Sequence, residues 1–362
     1  MATEWRLKMG KLKIAVIGVG NISESHINGY KNNENVELDA FCDINEKTLN
    51  EKGAKHGITR LYTDEAKMLE ELPELDAVSV CTWNSAHAPC TIMALNAGKH
   101  VLCEKPMAMN ATEAQQMIDA SKKAGKKLMV GFVRRFGNDA AIAKDFIDAG
   151  SVGDIYYAKV VYLRRNGCPG GWFGDKERSG GGPLIDLGVH VIDLARYLMG
   201  RPTPTSVFGA TFSGMGKREH LKDNFTDFVS PEKSGAPHTV EDLATALVRF
   251  DSGAVLQVEA SFNLHTGSGA NNIELFGNKG GVKLSPDFAL YTEINNYLAN
   301  VTLNKPSKLS FDGLFENEID YFVDSLITDR DLSSIAEDGC TLMKILDAIY
   351  ESAATGHEVA IK

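Results

Sequence analysis

The chain has no apolar run of membrane-spanning length, which excludes a helical membrane anchor as its organising feature. Its opening stretch, MATEWRLKMGKLKIAVIG, is broken by Lys8, Lys11 and Lys13 and offers no signal-peptide core. Cysteine is scarce and unpatterned. Cys42, Cys81, Cys90, Cys103, Cys168 and Cys340 form no CxxC pair, and four of them flank or interrupt apolar runs, so reduced thiols in a cytoplasm are expected. No HExxH and no other clustered ligand spacing occurs, so no metal site is expected. Positive charge is also short: 38 Lys and Arg stand against 48 Asp and Glu, a net charge of −10. Nucleic acid and anionic membranes are therefore disfavoured as partners.

What is present describes a globular protein, with 43% hydrophobic and 24% charged residues. A length of 362 residues exceeds one compact core, so two domains are expected, residues 1–132 and 133–362, with C-terminal helices that can pack back on the first. The first third alternates β-branched runs with amphipathic stretches, the pattern of βαβ units winding a parallel sheet. Strands are expected over 13–17, 38–42, 77–81, 100–103 and 128–132. A helix opens at a capping Ser23, and helices over 88–97 and 112–124 stop at Gly98 and Gly125.

Beyond a helix near 139–149 the strands lengthen and alternate, over 155–164, 243–250, 255–262, 272–276 and 282–284. The turn signals FDSG and GNKGG sit between them. This predicts a large, mainly antiparallel sheet with helices on one face, so the fold class is α/β with an open-faced second sheet. The bare face suggests a ligand wall or a subunit contact, hence a homodimer or homotetramer. Residues 212–239 are polar and irregular and receive no element, and the helices near 314–327 and 335–353 bear apolar stripes.

Three segments carry chemistry. Gly18-Val19-Gly20-Asn21-Ile22-Ser23 follows the first strand and opens the first helix, the context of a dinucleotide fingerprint with Ser23 replacing its third glycine. Gly18 permits the tight turn, Gly20 lets the backbone approach a pyrophosphate, and the helix start supplies N–H donors and partial positive charge. Asp43 ends the second strand 25 residues after Gly18, where a carboxylate accepts ribose hydroxyls and repels a 2′-phosphate. NAD is therefore expected over NADP, Lys47 being the one nearby cation. Alone, Asp43 reads equally well as an Asx turn.

Cys81-Thr82-Trp83-Asn84-Ser85-Ala86-His87 and Cys103-Glu104-Lys105-Pro106 end two further strands on the same sheet edge, where open α/β sheets place ligands. Thr82, Asn84, His87, Glu104 and Lys105 are accordingly candidate cofactor contacts, with Asn84 preferred to His87 beside the nicotinamide ribose. Farther on, GGGPLIDLGVHVID sets Asp186 and His190 one helical turn apart. Leu187, Val191, Leu194 and Leu198 bury the opposite side. Arg134, Arg135 and Trp172 are further candidates for substrate binding, Trp172 and Phe173 on a glycine-rich stretch, 164–182, that reads as a mobile flap. Asp193 reads as a polar helix face or a supporting contact.

Taken in this order, GVGNISESH, CEKP, GGGPLIDLGVHVID and VEDLATALVRFDSGAVLQVEASF resemble the glucose-fructose oxidoreductase/inositol dehydrogenase/rhizopine-catabolism (Gfo/Idh/MocA) family. The resemblance implies a Rossmann domain followed by an open-sheet domain. It also implies a hydride exchanged between nicotinamide and a hydroxyl-bearing carbon of a sugar or cyclitol. Lys105, Asp186 and His190 match the family's catalytic trio, while Trp83 stands where the family often has proline. His190 is the expected base, with Lys105 as the competing choice. Two other functions stay open at this stage: glycoside cleavage through transient oxidation, and a dinucleotide sensor without turnover.

Overall fold

The computed structural model describes residues 10–218, 220–222, 237–304 and 313–362. The chain divides into two compact units, Met1–Val133 with Asp312–Cys340, and Arg134–Phe311 with Thr341–Lys362. Among the described residues no helix is long and apolar enough to cross a membrane.

The first unit is wound around a six-stranded parallel sheet: β1 (Leu12–Ile17), β2 (Val36–Cys42), β3 (Arg60–Tyr62), β4 (Ala77–Val80), β5 (His100–Glu104) and β6 (Leu128–Gly131). Their spatial order is β3-β2-β1-β4-β5-β6, the doubly wound arrangement that reverses direction between β1 and β4. β4, β5 and β6 are buried along almost their whole length, as strands covered on both faces must be. The crossovers are α1 (Ser23–Asn32), α2 (Glu46–His56), α3 (Glu65–Glu71), α4 (Asn84–Asn96) and α5 (Ala111–Ala124). Asn45, Asp64 and Asn110 cap α2, α3 and α5 with their side chains. Gly98 and Gly125 take left-handed conformations behind α4 and α5, as the sequence predicts.

The start of α1 departs from expectation. Ile22, not Ser23, is its N-cap and no side chain caps it; Ser23 already lies inside the helix, and its hydroxyl donates back to the Gly20 carbonyl at 2.7 Å. Ile22 is instead drawn toward the apolar cluster of Val16, Val19, Ile27, Phe41, Leu49 and Cys81.

Among the described residues the second unit carries nine strands: β7 (Ile155–Leu163), β8 (Pro204–Phe212), β9 (Leu243–Phe250), β10 (Val255–Ser261), β11 (Ala270–Gly277), β12 (Gly280–Lys283), β13 (Ala289–Ile294), β14 (Tyr297–Val301) and β15 (Val359–Ala360). Their order is β14-β13-β12-β11-β7-β10-β9-β8-β15. The sheet is mixed, because β7 and β10 pair in parallel while their other neighbours run antiparallel. One cross-strand row, Val248, Leu256, Ala158, Leu275, Val282 and Leu290, is buried. The row beside it, which includes the paired Phe208 and Leu247, is about half exposed at 51% and 47%. The open face expected from sequence is thus present. β8 and the β13–β14 hairpin carry no assignment in the sequence reading. Gly209 interrupts the β8 pattern because a Cβ there would stand 2.9 Å from Ile349, and Asn295-Asn296 turns the hairpin with φ of 52° and 67°. Most of the stretch 212–239 lies outside the described residues.

After β6 the chain makes a short 3-10 turn, Val133–Phe136, then α6 (Asn138–Asp148), α7 (Lys176–Ser179) and α8 (Val189–Leu198). Arg135 reaches α8 with a bidentate pair, Nε to Asp193 Oδ2 at 2.9 Å and Nη2 to Oδ1 at 2.6 Å, and its guanidinium lies over the Tyr197 ring. Both side chains are almost fully buried. A buried fork of this type tolerates loss of both partners far better than loss of one. Asp193→Leu should therefore cost about 3–5 kcal/mol. The double change Arg135→Met/Asp193→Leu should recover most of that loss in denaturant unfolding; an additive double variant would contradict the coupling.

Candidate active site

The carboxyl ends of β1, β2, β4 and β5 bring the first set of candidate residues to one sheet edge. Gly18 leaves β1 with φ +82°, its N–H donates to the Cys42 carbonyl at 2.8 Å, and a Cβ on it would meet the Cys81–Thr82 backbone at 2.8 Å. Only glycine satisfies both demands. Gly20 differs: a Cβ there would meet nothing within 4 Å, so the main chain borders open space at the uncapped start of α1. Asn21 beside it is exposed. An anion can approach the backbone there, against the positive end of the helix.

Asp43 has two tasks already visible. Its Oδ2 accepts the Val19 N–H at 2.8 Å, pinning the glycine turn to the end of β2, and its Oδ1 accepts from Asn45 N at 2.7 Å as an Asx turn does. Each oxygen keeps a lone pair for a ribose hydroxyl. Lys47 points away into solvent, 86% exposed, opposite Glu51. These residues fit the adenosine and pyrophosphate parts of a dinucleotide.

The second loop is braced from within. His87 is buried; its Nδ1 lies 2.6 Å from the Pro106 carbonyl and its Nε2 3.1 Å from the Thr82 carbonyl. Burial lowers its pKa against the pull of those two acceptors. Expected as a possible ribose contact, the ring is spent on joining the Thr82 and Pro106 segments. Asn84 starts α4 behind the N-cap Trp83 and is 5% exposed.

Glu104 likewise faces inward. Its Oε1 is 2.9 Å from His26 Nε2, and its Oε2 accepts the Lys105 main-chain N–H at 3.0 Å. Burial raises this carboxyl, but the His26 hydrogen bond and the charge of Lys105 outweigh it and hold the pKa below the ordinary value. Glu104 is thus a support for Lys105 where a direct cofactor contact was expected. Lys105 precedes a cis proline and is half-buried.

Asp186 and His190 belong to the second unit. Asp186 sits in a π-helical turn, Leu184–Gly188, whose widened geometry is closed by the Val189 N–H donating to the Leu184 carbonyl; His190 lies in the first turn of α8. Such turns recur at functional sites. Asp186 is 9% exposed and His190 is half-buried, while Leu187, Val191, Leu194 and Leu198 are in the core as expected.

Glu241, which the sequence reading did not single out, anchors this turn. Its carboxylate accepts from Gly182 N at 2.9 Å, Leu184 N at 3.2 Å and the Tyr350 hydroxyl at 2.9 Å. Next to it, Asp242 accepts from Gly214 and Met215 N–H at 2.8 Å and from Asn263 at 2.7 Å. Burial raises the Cys168 thiol, the Gly170 N–H opposes this, and the nearby Asp186 and Asp242 carboxylates add to the rise. The 164–182 segment leads into the Asp186 turn.

That segment, read as a flap from sequence, makes contacts of its own. Trp172 and Phe173 stack with ring centroids 3.9 Å apart in a 3-10 turn, Thr239 N donates to the Gly174 carbonyl at 2.8 Å, and the Ser179 hydroxyl bonds Asp175 and Gly181 carbonyls. Two further substrate candidates are occupied otherwise: Arg135 by Asp193, and Arg134, 2% exposed, by Asn271 at 3.3 Å.

The contrast between the two glycines is testable. Gly18→Ala should lower Tm by several degrees, since strain and collision coincide. Gly20→Ala should leave Tm within a degree of the parent yet raise the Kd for NAD at least about tenfold, through steric exclusion at the pyrophosphate approach. Calorimetry on both variants checks this; an unchanged Kd for Gly20→Ala would contradict the assignment.

Comparison with known proteins extends the match over the whole chain. Residues 12–132 match the model of the oxidoreductase family with NAD-binding Rossmann fold, GFO_IDH_MocA, and residues 141–283 match the GFO/IDH/MocA C-terminal domain. The D-glucoside 3-dehydrogenase of Escherichia coli (strain K12) is 33% identical over 353 residues, 97% of each chain. The myo-inositol 2-dehydrogenase of Thermotoga maritima is 31% identical over 273 residues, 75% of this chain and 74% of that one. A levoglucosan dehydrogenase solved in complex with NADH superposes with a TM-score of 0.84 at 25% identity, covering 97% of this chain and 99% of that one. The chain belongs to the GFO/IDH/MocA family of NAD-binding oxidoreductases, and its coenzyme is NAD.

Proposed function

We propose that this oxidoreductase removes a hydride and a proton from a secondary hydroxyl of a sugar or cyclitol, with Lys105, Asp186 and His190 as the chemical groups. The observation that carries the reading is that the lysine of the first unit and the acid-bearing turn of the second are each held by a buried carboxylate. Lys105 is held through Glu104, and the Asp186 turn through Glu241. Investment of buried carboxylates in fixing loop backbones is what a reaction needs when its barrier depends on placement.

NAD supplies the hydride acceptor. His190, half-buried, takes the hydroxyl proton as general base. Lys105 donates a hydrogen bond to the same oxygen and stabilises its developing negative charge. Asp186 binds a neighbouring hydroxyl or keeps the imidazole in register. Trp172 offers the ring face not covered by Phe173 to the sugar. The substrates named for the relatives, a glucoside, an inositol and levoglucosan, share adjacent ring hydroxyls, which suits a site built from one cation, one carboxylate and one imidazole. NAD is favoured over NADP by Asp43 and by the outward Lys47. The open face of the second sheet, with Phe208 and Leu247, is the surface for a homodimer or homotetramer, and six cysteines without a CxxC pattern suit the cytoplasm.

NADH formation should be measured across inositols, aldoses, glucosides and anhydrosugars. Turnover with at least one member is expected, with higher kcat/KM for NAD than for NADP. His190→Ala should lower kcat about 10²–10⁴-fold with a smaller change in KM. Lys105→Met should be at least as damaging. Release of product from an aryl glycoside without net NADH, or near-parental turnover in Lys105→Met, would overturn the reading.

A further inference from the structure

Beneath the Lys105 loop lies a polar cluster that the reaction itself does not use. His26 from α1, Glu104 from β5 and Glu318 from the helix Leu314–Ile327 each place one ligand-type atom within 4.8 Å of the others. All three are buried, and His26 and Glu318 are fully so. The groups around them are Tyr30 on α1, Ser79 on β4, Cys81 just after it, Cys103 on β5, Lys105, and His87 on α4. Phe315 closes one side, its ring centroid 6.1 Å from that of His26.

Donors and acceptors can be followed through the cluster. The Glu104 carboxylate only accepts, so His26 donates from Nε2 to Oε1 at 2.9 Å while the Lys105 N–H donates to Oε2 at 3.0 Å. In the neutral ring His26 Nδ1 then accepts from the Ser79 hydroxyl at 3.2 Å, and Ser79 accepts from the Tyr30 hydroxyl at 2.6 Å. Every member is satisfied except one. Both carboxyl oxygens of Glu318 are buried without a hydrogen-bond partner. A charged carboxylate left so would lose its hydration without recompense, and facing Glu104 makes ionisation harder still. Burial first, then the Glu104 charge, raises the Glu318 pKa well above its ordinary value.

We propose that Glu318 is a positioning residue for Lys105. It remains an uncharged carboxylic acid in the folded protein, directs its proton toward the Glu104 carboxylate, and thereby fixes the side chain that holds the Lys105 main chain. This rests on the reading of Lys105 as a chemical group. A divalent cation among the three residues is the competing occupant. It would require His26 Nε2 to give up its proton and its bond to Glu104, whereas a proton on Glu318 leaves every existing bond intact. Neutral acids buried in apolar surroundings are a known way to keep a hydrogen-bond donor at neutral pH.

The sign of the pH effect follows. An acid whose folded pKa is raised binds a proton that the unfolded chain releases above about pH 4.5, so wild-type stability declines with pH above that point. Glu318→Gln removes the dependence. The Tm of Glu318→Gln minus that of the wild type should therefore grow from pH 5 to pH 8. Infrared spectra of the wild type at pH 8 should contain a protonated-carboxyl carbonyl band that Glu318→Gln lacks. Glu318→Ala should lower kcat about ten- to a hundredfold with little change in the KM for NAD, and Gln should restore most of the loss. The proposal is overturned by absence of the band, by a Tm difference that is flat or falls with pH, or by a stoichiometric divalent metal that the Gln variant loses. Failure of the Lys105 reading is distinguishable, because the band and the pH slope do not depend on turnover.

Discussion

The Glu104 carboxylate is the constraint on which the coenzyme edge of the first unit depends. One oxygen holds α1 through His26, and the other holds the backbone of the residue proposed to touch the reacting hydroxyl. β1, β4 and β5 end side by side, so a buried acceptor at the last position of β5 can reach both the helix after β1 and the loop after itself. Asp43 repeats the device one strand over, tying the glycine turn to the end of β2. Glu241 repeats it again in the second unit under the Asp186 turn. In each case a carboxylate takes main-chain N–H groups that would otherwise be unsatisfied.

This division of labour explains which parts of the site were legible in the sequence. The glycine turn, the acid after β2 and the ends of β4 and β5 were readable because a parallel sheet places functional loops at its carboxyl edge. Asp186 and His190 stand out as a polar pair one turn apart in an apolar stretch and Lys105 as a lysine at a strand end that folding does not require, while their proposed roles come with the family resemblance. The partners were not legible. Glu318 sits in an amphipathic helix more than 200 residues after Glu104, and a buried acid in such a helix has the same local pattern as an exposed one. His87 shows the reverse error, since a titratable residue near the edge proved to be a brace between two carbonyls. Arg135 was drawn toward the substrate by its position and belongs to a buried fork with Asp193.

The fold shows the same boundary between local and tertiary information. Periodicity located most strands of the second sheet, but it missed the parallel pairing of β7 with β10, since register between distant segments leaves no mark in either. β8 was masked by a glycine required for contact with Ile349. The β13–β14 hairpin carries a local signal, the Asn295-Asn296 pair, whose positive φ values make the turn. The 164–182 segment reads as a flap from its glycines together with Trp172 and Phe173; the hydrogen bonds of Ser179 to Asp175 and Gly181, that of Thr239 to Gly174, and the stacking of the two aromatics on each other are tertiary facts that no local pattern carries.

The most direct test of the account is the fate of the hydrogen on the carbinol carbon. A sugar or inositol accepted as substrate, deuterated at each ring carbon in turn, should deliver deuterium to C4 of the nicotinamide from one position only, with a slowed turnover at that position. Nicotinamide that stays unlabelled while product forms would contradict hydride transfer, and with it the roles given to Lys105, Asp186 and His190.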